Sequence, residues 1–138
     1  MRRRLLLGAL AGAVPAQLSW VANDTAGSVA VLPDVMTLLV LFVLLFGAIR
    51  LDVRRSQIMD RSAIWHVGAM ISMTAGSVFA TGTVLIGVTR LDEPVLALGA
   101  YGFVTGFLVV GLCGAVACAL VTKSVNRRAE ETESAEAE

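Results

Sequence analysis

Apolar residues gather into four long runs, at about 5–22, 32–49, 63–88 and 94–121, with polar residues concentrated between and beyond them. An α-helix needs about 20 apolar residues to cross a hydrocarbon core of about 30 Å, and each run is close to that length or longer. The strict alternation expected of barrel strands is missing, which leaves helices as the way to satisfy the backbone in lipid. The pattern predicts an all-α, polytopic integral membrane protein with four transmembrane helices in one domain, residues 1–122. Residues 123–138 follow as an acidic tail, flexible or fraying as a helical extension of the fourth run.

The four runs differ in strength. Pro15, Gln17 and Ser19 interrupt the first. Its alternative reading is a cleaved signal peptide, with Arg2–Arg4 as the basic region, Leu5–Val14 as the apolar region and Val14-Pro15-Ala16 as the cleavage site. Cleavage would leave three spans and an outer N-terminus. The second run opens with Pro33 and Asp34, which suit a first helical turn. Its centre, Thr37 to Phe46, is almost wholly large and apolar; lacking a small-residue face, it is expected to face lipid. Ser62 is the expected N-cap of the third run, and Trp65 and His66 sit where amphipathic rings prefer the membrane interface. The short turn Thr89–Glu93 folds the third and fourth runs into an antiparallel hairpin, with Asp92 as a cap for the fourth. That fourth run is long enough, at about 42 Å, to require tilting or projection from the bilayer.

Charge orients this pattern. Ten of the 11 basic residues lie on one side of it: Arg2, Arg3 and Arg4, then Arg50, Arg54, Arg55 and Arg61, then Lys123, Arg127 and Arg128. Only Arg90 falls on the other side. By the positive-inside rule both termini are cytoplasmic, with Arg50, Arg54, Arg55, Arg61, Lys123, Arg127 and Arg128 setting topology and meeting lipid headgroups. Arg50 to Ser62 reads as a plain topogenic loop in preference to an interfacial helix. The chain is 57% hydrophobic, above the roughly 45–50% of soluble domains. Its formal net charge is zero, so no field for nucleic acid is implied. The zero conceals five glutamates in residues 130–138, read as a solvated spacer.

Small residues recur at helical spacing. Gly8 and Gly12 mark the first run. Gly68, Ser72, Gly76 and Ala80 line one face of the third, and Gly99, Gly102, Gly106, Cys113 and Ala117 one side of the fourth. Such faces let helices approach closely in lipid, and they are the candidate helix-packing residues. Larger residues take the opposite faces: Met70, Met73 and Leu85 in the third run, Tyr101, Leu108, Leu112 and Val116 in the fourth.

Candidate chemistry is sparse. No Asp, Glu, Lys or Arg falls inside the expected hydrocarbon spans, which argues against an ion-coupled carrier. Thr74, Ser77, Thr81 and Thr83 would line a polar path, but such hydroxyls usually bond back to their own helix. His66 is the only histidine and reads as an interfacial anchor; with no second ligand beside it, no metal site is expected. Cys113 and Cys118, five residues apart on one helix, point about 140° away from each other and should not bond. No cofactor and no catalytic residue is expected.

These features predict a non-enzymatic structural or accessory membrane protein. Its partners would be the lipid bilayer and either copies of itself or another membrane protein. In layout the whole chain resembles the small four-span internal membrane proteins of haloarchaeal pleomorphic viruses: short, with tiny loops, arginine-rich and acidic-tailed. No residue motif carries that resemblance, which implies a virion membrane component and transfers no site residues. The alternatives are a passive, holin-like pore lined by Thr74, Ser77 and Thr81, and a small accessory subunit of a membrane complex.

Overall fold

The computed structural model describes residues 1–25, 31–90 and 95–138, and the side chains of 1–18, 35–82, 85, 103–104 and 106–138. Four helices account for nearly all of this: α1 (Arg2–Thr25), α2 (Val31–Arg55), α3 (Arg61–Arg90) and α4 (Val95–Glu136). Among the described residues three stretches are long and apolar enough to cross a membrane, Val35–Arg55, Arg61–Gly82 and Gly106–Glu136. Of the expected turn Thr89–Glu93, Thr89 and Arg90 still belong to α3, and the rest, with the proposed cap Asp92, lies outside the described residues.

The helices form one bundle. α3 packs most extensively, against α4 on one side and α1 on the other. α2 closes the ring by touching α1 and α4, and α1 and α4 stand at opposite corners without contact among the described residues. Large apolar side chains cover the outside of the bundle. Leu6, Leu10, Leu39, Val43, Met73, Leu108 and Leu112 are all more than half exposed. In water such a coat would be an aggregation surface; in lipid it is the expected exterior.

Expectation and structure part company on α2. It is not merely a lipid-facing helix, because Leu41, Leu45, Ile49 and Val53 form a buried stripe that joins the core with Ile64, Ile71 and Val110. Recurrence every fourth residue puts these four on one face. The sequence did not reveal it because the opposite face, with Leu39 and Val43, is equally apolar. Inner and outer surfaces of a membrane helix differ in packing and size more than in polarity.

The α2–α3 connection is short and firmly specified. α2 runs on through Arg55, a turn and a half beyond the expected end at residue 49, so Arg50, Arg54 and Arg55 are helical. It ends in a Schellman motif: Ile58 N–H donates to the Val53 carbonyl (3.2 Å) and Gln57 N–H to the Arg54 carbonyl (3.4 Å). Ile58 then folds back onto the core. Gln57, at a φ of 51°, occupies the left-handed position that glycine favours. Gln57→Gly should therefore stabilise the protein by about 1 kcal/mol, read as a raised thermal midpoint in detergent; an unchanged or lowered midpoint would count against this account.

Asp60, rather than Ser62, caps α3. Its Oδ2 accepts from the Ala63 N–H at 3.3 Å, and its carbonyl accepts from the Ile64 N–H. Ser62 lies two residues beyond the cap, inside the first turn, because the helix already begins at Arg61.

The tail takes the helical alternative. α4 continues as helix to Glu136. Alanine, glutamate and arginine are strong helix formers, and the hydroxyls of Thr132 and Ser134 donate to the carbonyls of Arg128 and Glu130 in the preceding turn. Every side chain from Asn126 onward is exposed, so this part of the helix has no packing partner.

Candidate functional site

Two seams of small residues hold the bundle together, and both run along α3. The first joins α1 to α3. Gly8, Gly12 and Ala16 of α1 meet Ile71 and Thr74, Ala75, and Gly82 in that order, so the two helices run parallel. A Cβ on Gly8 would lie 2.7 Å from the Thr74 Cβ and 2.8 Å from the Ile71 carbonyl oxygen. A Cβ on Gly12 would collide with the Ala75 carbonyl oxygen itself. The backbones are in van der Waals contact here, which only glycine permits. Pro15, the residue that weakened the first run, is fully buried within α1 close to this seam.

The second seam joins α3 to α4. Gly68 faces Cys118, Ser72 faces Gly114, Gly76 faces the Phe107 ring and Ala80 faces Gly106. One number rises as the other falls, so these helices are antiparallel. A Cβ on Gly68 would overlap the Cys118 sulfur, and one on Gly114 would overlap the Ser72 hydroxyl. Gly76 and Gly106 are looser, with nearest neighbours at 3.4 Å, which is ordinary contact.

The expected packing residues therefore divide. Gly8, Gly12, Gly68, Ser72, Gly76, Ala80 and Gly106 sit in the seams, and Ala117 is fully buried in the core. Cys113 does not belong to the α3 seam; it lines a shallow apolar groove toward α2 with Leu38, Phe42 and Val116. Gly99 and Gly102 lie in α4 beyond the residues whose surroundings are described. Reading the sequence alone missed Cys118, Gly114, Gly82, and the second small face of α3 at Ala75. Gly114 and Cys118 were findable as the four-residue continuation from Gly106 and Val110.

The hydroxyls mostly turn back on their own helices. Thr74 donates to the Met70 carbonyl at 2.9 Å, Ser77 to Met73 at 3.0 Å and Thr122 to Cys118 at 2.8 Å. Ser72 Oγ is buried with no hydrogen-bond partner. It rests on Gly114, whose Cα hydrogen points at it, a weak polar contact common between close helices. Thr81 is exposed on the outer surface, and the surroundings of Thr83 are not among those described.

Among the described residues, one ionisable pair lies between helices. Arg4 Nε donates to Asp52 Oδ2 at 2.9 Å, tying the start of α1 to the end of α2. Asp52 is only 3% exposed, whereas the Arg4 side chain keeps 30% of its surface. Asp52 falls on the stripe of Leu41, Leu45 and Ile49, one turn further on, so the extension of α2 carries a carboxylate into the packed end of the bundle. The sequence reading had assigned this residue to a loop. Continuing the α2 period past Ile49 would have found it.

The pair and the seams fix how the helix ends are arranged. The N-termini of α1 and α3 and the C-terminal parts of α2 and α4 share one end of the bundle, which gathers ten of the 11 bases there. The Arg50 guanidinium lies over the Phe46 ring, 5.8 Å from its centre, one turn back along α2. Arg54, Arg55, Arg61, Lys123, Arg127 and Arg128 are exposed at that end of the bundle. Trp65 is 38% exposed beside them, and His66 Nδ1 donates to the Ser62 carbonyl at 3.1 Å. No protein-family model, curated protein or solved structure matches this chain.

Proposed function

We propose that this chain is a non-enzymatic structural or accessory integral membrane protein, with four spanning helices and both termini on the cytoplasmic side. The observation that carries the reading is the filling of its small faces. Gly8 and Gly12 are occupied by α3, and Gly68, Ser72 and Gly76 by α4, so these residues are spent on internal packing. A pore would need a continuous polar lining. Thr74 and Ser77 instead give their protons to carbonyls of their own helix, and Thr81 faces outward. α1 supports the four-span reading because it is packed along α3 and salt-linked to α2; a cleaved signal would leave Asp52 unpaired.

Association with copies of itself or with another membrane protein would use the outer leucine-rich surface, since the small faces are already taken. A virion membrane is one setting that suits the layout, with a compact bundle and little chain beyond it on the side opposite the bases. Two measurements test the proposal. Purified protein reconstituted in liposomes should leave them ion-tight; ion flux at low protein density would support a pore instead. In a background lacking Cys113 and Cys118, a cysteine at position 56 should be labelled from the cytoplasmic side and one at position 27 from the other, and the reverse pattern would overturn the orientation.

A further inference from the structure

A cleft of about 670 Å³ opens between the start of α3 and the end of α4, lined by Arg61 and Trp65 from one helix and Lys123, Ser124, Asn126 and Arg127 from the other. Directly adjoining it, and sharing Trp65 as a wall, an apolar groove of about 310 Å³ runs along the outer side of the same two helices. Its floor is made of residues with little or no side chain, Gly68, Ala69, Gly111 and Gly114, and its sides of Met73 and Phe107.

We propose that cleft and groove together bind one anionic phospholipid from the leaflet on the basic side, with the phosphate in the cleft and an acyl chain in the groove. This rests on the reading that the bundle spans a membrane. Charge complementarity selects the headgroup. Three cations and the one carboxylate of the lining, Glu130, leave it at +2, and Ser124 and Asn126 add neutral hydrogen-bond donors for phosphate oxygens. Shape selects the chain. From Arg61 to Met73 is about 18 Å of helix, close to the depth of one leaflet from its headgroup to the middle of a core about 30 Å thick. Trp65 stands at the boundary between the two compartments, where indole prefers to lie.

Gly111 gives a clean probe of the groove. A Cβ there meets nothing within 4 Å, so Gly111→Leu fills the space without touching either seam. The test is native mass spectrometry of the full chain in detergent, titrated separately with phosphatidylglycerol, phosphatidylcholine and inorganic phosphate. One phosphatidylglycerol per chain should be retained in preference to phosphatidylcholine. At about a factor of five for each cation near an anionic headgroup, the K123A/R127A double variant should bind it about 25-fold more weakly. Gly111→Leu should weaken phosphatidylglycerol at least fivefold while leaving the thermal midpoint unchanged or raised.

Equal retention of the two lipids, or indifference to K123A/R127A, overturns the proposal. Inorganic phosphate binding as tightly as the lipid, with Gly111→Leu silent, reduces the site to a bare anion cleft and overturns the acyl-chain assignment. A dimer whose formation displaces the lipid and is abolished by Gly111→Leu would assign the groove to a second copy of the chain. Carbonate extraction of native membranes tests the spanning reading separately: release of the protein would sink that reading whatever the lipid titration gives.

Discussion

Gly12→Ala is expected to destabilise the bundle by about 3 kcal/mol, the upper part of the range for overpacked sites. A methyl group at this position occupies the space of the Ala75 carbonyl oxygen, and neither partner can yield by a side-chain rotation because both are backbone. The helices must separate, and dispersion contacts along the whole α1–α3 seam weaken together. Gly68→Ala should cost less, because the Cys118 side chain in its way can change rotamer. Gly47→Ala is the matched control: it lies on the outer face of α2 with open space around it, and should be neutral or stabilising by up to about 1 kcal/mol. Thermal or denaturant unfolding in one detergent ranks the three. Equal effects at Gly12 and Gly47 would mean that helix propensity, not the seam, governs stability.

Arg4→Ala should be nearly as damaging, by about 3 kcal/mol, and more damaging than Asp52→Ala. The asymmetry comes from burial. Removing the arginine leaves a carboxylate that is 3% exposed without its counter-charge, and an uncompensated buried charge is the costly outcome. Removing the carboxylate frees an arginine that is already 30% exposed and can swing out to water or headgroups, at about 1 kcal/mol. The double substitution to leucine should recover most of the loss, since well-packed apolar residues replace such pairs at little cost. The same unfolding assay checks all of these. A double variant no better than Arg4→Ala would show that the arginine acts through contacts other than Asp52.

Much of the architecture was legible in the sequence because it depends on residue type at fixed spacing. The four apolar runs gave four helices, and the four-residue recurrence from Gly68 to Ala80 gave the face toward α4. The exposed Leu108, Leu112 and Val116 fell opposite that face, as their spacing implied. What stayed hidden depends on which helix stands where. Nothing in the sequence pairs Gly12 with Ala75, residues 63 positions apart whose contact needs α1 and α3 side by side. The buried stripe of α2 was masked by an equally apolar outer face. Asp52 was missed for a simpler reason: the apolar run ends before the helix does, and a loop boundary was drawn where polarity changed.

The unpartnered end of α4 has an electrical consequence. From Lys123 to Glu136 the helix rises about 20 Å, so Glu136 stands about two Debye lengths from Lys123 at physiological ionic strength, while Glu130 and Glu131 lie within one turn of Arg127 and Arg128. The five glutamates of residues 130–138 offset only half of the ten bases at that end. An anionic surface close to the bundle meets a positive collar, while a soluble molecule arriving along the axis of α4 first meets a negative tip. The protein is thus a neutral chain that presents opposite charge to the two phases it borders.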